Sequence, residues 1–207
     1  LVKVHGGSFN YKQGIDDKVR RTEVVNTFLI SKYPVTQQLW QAVMKTSLQQ
    51  MAGRSYQPEE DNFDFPMIYV KFNDAKAFCE RLSKITGNHF RLPTTQEWQY
   101  AARGGNKSRG TLYSGSDNYE QVAYTNANAD HGDRMYAEYV PVGSKQPNEL
   151  GLYDMSGLVW EWCDGGTPLL ESQNERYCMG GGIFASPEEL RVDYHLPLDK
   201  DTPSMSV

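Results

Sequence analysis

The stretch Asn148-Glu-Leu-Gly-Leu-Tyr-Asp-Met-Ser-Gly-Leu-Val-Trp-Glu-Trp162 decides how this chain is read. It has no helical period. Asn148, Glu149 and Asp154 are oxygen donors around Gly151 and Gly157, a composition that suits either tight turns or an oxygen-lined cation site. From residue 104 onward loops with short strands dominate.

Upstream the pattern changes. Thr36 suits the N-cap of a helix with Leu39, Trp40, Val43 and Met44 on its inner face. A second helix carries Ala75, Phe78, Cys79, Leu82 and Ile85 as an apolar stripe, with Asn73 to cap it and Gly87 to end it. Thr94-Thr-Gln-Glu97 is a capping box, because the Thr hydroxyl accepts the N–H three residues on and the Glu reaches back. It opens a third helix with Trp98, Ala101 and Ala102 inside, stopped by Gly104-Gly105. Strands are expected at residues 1–9, broken by Gly6-Gly7, at Val24–Ser31 and at Pro66–Val70. The fold class is therefore α+β, with few helices in the first half and an irregular β-rich second half.

The 207 residues suffice for one domain with a sizeable core. The net charge of -5, with 21 basic and 26 acidic residues and no basic stripe, argues against a nucleic-acid binder. No apolar run reaches the roughly 20 residues of a membrane helix. Cys79, Cys163 and Cys178 form no disulfide scaffold and no CxxC pair. A single Cys163–Cys178 bridge is compatible with the sequence, and Cys79 reads as a small buried hydrophobe.

Enzymatic signatures are sparse. There is no Gly-x-Ser-x-Gly elbow, no phosphate-binding glycine pattern and no His-Glu-x-x-His spacing. His5, His89, His131 and His195 are scattered. The oxygen-rich run Asn126-Ala-Asn128-Ala-Asp130 with Asp133 suits a structural calcium ion or a solvated turn equally.

The quoted stretch resembles the Asn-x-x-Gly-Leu-Tyr-Asp-Met-x-Gly-Asn-Val-Trp-Glu-Trp block of the formylglycine-generating enzyme (sulfatase-modifying factor) family. Other blocks agree in order. Ile30-Ser-Lys-Tyr-Pro-Val-Thr36 looks like the segment before the family's first helix, and Pro66 to Ala75 looks like its Pro-x-x-x-Val-x-Trp-x-Asp-Ala block. Arg91-Leu-Pro-Thr-Thr-Gln-Glu-Trp-Gln-Tyr-Ala-Ala-Arg-Gly-Gly105 is similar to the family's Arg-Leu-Pro block. The resemblance implies a C-type-lectin-like fold of the formylglycine-generating subtype, as one domain over residues 1–207 with a divergent part at about 158–207.

The family's enzyme oxidises a substrate cysteine with copper and oxygen, using two cysteines near its C-terminus. The corresponding stretch here, Arg191 to Val207, has no cysteine, so no catalytic residue is carried over and no copper is expected. Leu158 stands where the family has Asn. The variable proteins of diversity-generating retroelements share this fold and diversify a C-terminal surface. That resemblance implies a ligand-binding face made of Leu169, Asn174, Ile183, Phe184, Asp193, Tyr194, His195 and Leu196. A protein or other macromolecular ligand, and a cell-surface or extracellular location, fit such a face. A calcium ion held by Asn126, Asn128 and Asp133 is a separate expectation. The alternatives are an accessory domain of a surface or secretion assembly, or a copper- and oxygen-dependent formylglycine-generating oxidase.

Overall fold

The computed structural model describes residues 1–13, 19–53, 64–129, 139–165 and 173–203. Asp133 and Leu169 lie outside these segments.

The N-terminal strands form two antiparallel pairs. β1 (Val2–Val4) pairs with β4 (Phe28–Ile30), and β2 (Gly7–Gln13) with β3 (Val19–Val25). The break between β1 and β2 needs glycine. A Cβ on Gly6 would lie 2.5 Å from the Val25 carbonyl, and one on Gly7 2.6 Å from the Tyr100 hydroxyl.

Helix α1 (Gln37–Met44) starts where Thr36 accepts from the Leu39 N–H, and Trp40 and Val43 are buried. Leu39, expected inside, is 40% exposed. Ser47 and Gln50 form a second capping box that opens the short α2 (Leu48–Ala52), an element not expected from the sequence. Residues 66–70 are not a strand. Thr36 and Pro66 form one isolated bridge, and Tyr69 at φ 60° turns the chain out of the extended region while Met67 to Val70 stay buried.

Helix α3 (Phe72–Thr86) begins at Lys71, two residues before the expected cap, and ends at Gly87 in the left-handed region. Its Phe78 stacks on Trp40 at 5.4 Å. Ile85 is 64% exposed rather than part of the inner stripe. Helix α4 (Thr95–Ala102) has the capping box read from the sequence, and Arg91 clamps the Glu97 carboxylate with bonds of 2.7 and 2.6 Å. A 3-10 turn at Gly105–Lys107 and the one-turn α5 (Tyr119–Val122) follow.

The C-terminal sheet has three antiparallel strands in the order β5 (Glu161–Cys163), β6 (Glu175–Met179), β7 (Leu196–Asp199). Its register excludes the Cys163–Cys178 bridge. Cys163 sits opposite Tyr177, and Cys178 opposite Trp162. Side chains alternate faces along a strand, so Cys163 joins the cluster of Trp98 and Met179 while Cys178 joins that of Trp162 and Phe72. All three cysteines are free.

Residues 148–162 thread the three main apolar clusters. Leu152 and Met155 lie with α4, Leu158 and Val159 with α1 and α3, and Trp160 and Trp162 under the C-terminal sheet. Asn148 anchors the start. Its carboxamide N–H groups share three acceptors, the Ala101 and Ala102 carbonyls and Ser114 Oγ, while its oxygen accepts from the Leu150 and Leu152 amides. Ser156 donates to the Leu190 carbonyl and accepts from the Ser114 amide. Asn148 and Ser156 thus spend their oxygens on holding the backbone, whereas Glu149 pairs with Arg109 through one carboxylate oxygen.

Candidate ligand-binding face

The β5–β6–β7 sheet and the loop before β7 carry most of the residues expected to bind. The structure divides them. Phe184 is 52% exposed and Asn174 is exposed at the start of β6. Tyr194 and Leu196 are half-buried at the edge of the cluster under the sheet, where Tyr194 lies 6.0 Å from Trp160. Ala185, next to Phe184, belongs to the same cluster. These four residues form the accessible part of the set. Ile183, Asp193 and His195 are interior, with 2, 5 and 8% exposure, which takes them off the contact surface.

Two long-range polar contacts explain why Asp193 and His195 tolerate burial. The Asp193 carboxylate takes both Nε and Nη2 of Arg191, at 3.0 and 3.2 Å, and meets Nη2 of Arg103 at 3.5 Å. A buried charge is acceptable when paired in this way. His195 Nδ1 is 3.0 Å from the Asp193 carbonyl, which can only accept, so that nitrogen carries the proton. Nε2 then accepts from the Tyr11 hydroxyl at 2.8 Å, and the same hydroxyl lies 3.1 Å from Thr95 Oγ1. Burial drives the imidazole down to about pKa 4, so it is neutral at physiological pH. This network ties β2, α4 and the approach to β7 behind the face. The sequence reading missed Arg103, Tyr11 and Trp160 as its supports, because their partners lie dozens to nearly two hundred positions away.

Two acids at the heart of the 148–162 segment have no cationic partner among the described residues. Asp154 accepts from the Gly143 amide at 2.6 Å, and burial pushes it up to about 6. Glu161 accepts from Trp98 Nε1 at 3.1 Å. Burial, followed by the neighbouring Asp154 charge, pushes it up to about 7.

Of the residues expected to hold calcium, Asn128 is already engaged. Asn128 spends its oxygen on the Thr125 amide and its N–H on the Ala123 carbonyl, closing a turn. The Asn126 amide donates to the Ile183 carbonyl. Asp133 falls outside the described residues. Cys163 and Cys178 point to opposite faces of the sheet, so they do not form a thiol pair. Burial raises Cys79 to about 11 and holds Cys163 and Cys178 well above the usual thiol range.

Residues 1–205 match the family described as the sulfatase-modifying factor enzyme 1-like domain. The chain belongs to this family. This member of the sulfatase-modifying factor family is 31% identical to the chaperone protein LppX of Paenibacillus barcinonensis, over 94% of this chain and 82% of that protein. It is 32% identical to the inactive C-alpha-formylglycine-generating enzyme 2 of Bos taurus, over 78% of this chain and 50% of that protein. The match to the formylglycine-generating enzyme of Streptomyces coelicolor, 38% identical, covers 47% of this chain and 31% of the enzyme. The chain thus spans half or less of these formylglycine-generating relatives. Among solved structures it is similar to Treponema denticola variable protein 1, with a TM-score of 0.76, 22% identity and coverage of 99% of this chain and 91% of that one. CarF gives a TM-score of 0.67 at 26% identity, covering 95% of each chain. The fold is the α+β, lectin-like one expected from the sequence, with few helices and much irregular backbone.

Proposed function

We propose that this sulfatase-modifying factor domain is a non-catalytic binding protein whose ligand meets the C-terminal face around Asn174, Phe184, Tyr194 and Leu196. The observation that carries the reading is the division of that region. Phe184 stands half out of the surface, while Asp193 and His195, its neighbours in the same stretch, are locked into interior pairs. A rigid support carrying exposed aromatic groups is the arrangement of a recognition surface. A macromolecular partner, rather than a small polar one, suits exposed apolar side chains. The relative named inactive supports the absence of catalysis, as do the buried thiols.

The divergence of residues 158–207 further supports diversification of the face by a retroelement. Natural copies of the gene would then differ at codons for exposed positions such as 184, 194 and 196, and agree at 183, 193 and 195. Uniform copies at all of these positions would sink the diversification. Oxygen-dependent formation of formylglycine in a cysteine-containing peptide by the purified chain would overturn the non-catalytic reading itself.

A second reading has its own support. LppX is named a chaperone and matches over most of both chains. An accessory or chaperone role would use the same face on one fixed client, and co-expression would raise the soluble yield of that client. Calcium is proposed only for the loop that begins at Asn126. It would raise the melting temperature, and a chelator would lower it.

A further inference from the structure

The ribbon of β2 and β3 has two edges, and they differ. The edge on β2 is covered. The Lys12 N–H donates to the Gln99 side-chain oxygen at 3.0 Å, and the Lys12 carbonyl accepts from the Gln99 carboxamide at 2.7 Å. Lys12 therefore turns its backbone groups away from β3, and its pair with Arg20 is of the non-hydrogen-bonded kind. The two kinds of pair alternate along an antiparallel ladder. Asn10–Thr22 and Ser8–Val24 are then also non-hydrogen-bonded pairs. So Arg20, Thr22 and Val24 aim their N–H and C=O groups at the far edge of β3, while Arg21, Glu23 and Val25 bond back to β2. Among the described residues no strand pairs with that far edge, and no backbone group from elsewhere bonds Thr22 or Val24. The Val24 side chain is 76% exposed beside it.

A row of backbone donors and acceptors without a ladder is a template for another strand. Proline and bulges, common protections of an edge, do not occur in β3. Its charges select a register instead. Opposed side chains in an antiparallel pair share a face, so a symmetric pair of β3 strands is centred on one residue. Centred on Arg21, two guanidinium groups oppose each other. Centred on Glu23, two carboxylates do. Like charges directly opposite are destabilising. Centred on Thr22, each Arg21 opposes Glu23 of the other copy, Thr22 opposes Thr22, and Val24 opposes position 20. The same register matches the outward backbone groups of positions 20, 22 and 24 in both copies. Arg21 and Glu23 already pair within one chain, and their side chains are 41 and 24% exposed. They can therefore exchange partners across the edge without leaving their face.

We propose that the free edge of β3 joins a second copy of this chain, as a two-fold antiparallel strand pair centred on Thr22. The contact stands apart from the C-terminal face. The test is sedimentation of the whole chain, with a reversible dimer expected at a Kd of about 100 µM or tighter. Amide hydrogen exchange at Thr22 and Val24 should slow as the dimer fills, while that at Arg21 and Glu23 changes little. Arg21→Glu and Glu23→Arg should each weaken the dimer by about tenfold or more, because like charges then oppose each other. Mixed one to one, the two variants should recover a heterodimer, since each supplies the charge that the other lacks. That recovery separates lost pairing from a folding defect. A chain that stays monomeric at roughly 500 µM, or a dimer that survives either single reversal, would overturn the proposal. So would a mixture that does not recover, or a dimer whose Thr22 and Val24 amides exchange as they do in the monomer.

Discussion

Asn148 and Glu161 stand near the two ends of one segment and are accommodated by opposite means. Asn148 brings a neutral amide whose donors and acceptor are all used, by α4, Ser114 and its own turn. Glu161 brings a carboxyl group with one neutral donor among the described residues, Trp98, and a second acid as its neighbour. A saturated amide fixes geometry at every pH. An acid lacking a cation makes the same fold depend on whether a proton is bound. Satisfied hydrogen-bond capacity, more than polarity, is thus expected to decide what such an inward-facing polar group does to stability.

The sharpest way to break this contrast is Asn148→Ala. It strands several buried carbonyl and amide groups, and should cost about 3–5 kcal/mol in denaturant unfolding. Loss of less than about 1 kcal/mol would mean that water replaces the side chain.

Glu161 gives the next effect. Its folded pKa of about 7 lies above the ordinary 4.5, so the native state holds a proton that the unfolded chain releases between those values. Stability from this group is full below about pH 4.5 and is lost as pH rises through 7, by on the order of 3 kcal/mol. Asp154, raised to about 6, acts in the same direction over a lower window. Glu161→Gln keeps an acceptor for Trp98 and removes the charge. It should stabilise the protein at pH 8 and flatten the profile between pH 5 and 8. An unchanged slope in that variant would move the effect elsewhere.

Behind the C-terminal face, Tyr11→Phe removes the hydroxyl that meets His195 and Thr95, with an expected cost of about 1–2 kcal/mol in chemical denaturation. On the face itself, Phe184→Ser should change stability by no more than about 0.5 kcal/mol. It should nevertheless abolish or strongly reduce partner capture. A large stability loss there would place Phe184 with the interior residues.

The legible parts of the fold were the local ones. The Thr94 capping box, the Thr36 cap, the Gly87 terminus and the Gly6-Gly7 break each depend on residues within a few positions. Periodicity was less reliable at helix ends, where Leu39 and Ile85 have the right spacing but no neighbour to cover them. The short α2 was hidden because its capping box, Ser47 to Gln50, introduces only one turn and a half. Residues 66–70 look like a strand because they are apolar, yet they are buried by packing without a ladder.

The candidate face was legible as a region and not as a residue set. Asp193 and His195 are polar and sit in a divergent stretch, which reads as surface. Their partners Arg103 and Tyr11 are 90 and 184 positions away, so nothing local announces the burial. The cysteines show the converse. The sequence leaves a Cys163–Cys178 bridge open, and a register that places them on opposite sheet faces removes it.

The Tyr11–His195 contact also bears on how the chain reaches its native state. It joins positions 184 residues apart, so β2 cannot meet this neighbour until the residues just before β7 have emerged from the ribosome. Contacts of such separation require closing a very long loop, and they slow folding relative to local helical pairing. A nascent chain should therefore form its helices early and keep its N-terminal ribbon without this interior partner until His195 has left the ribosome.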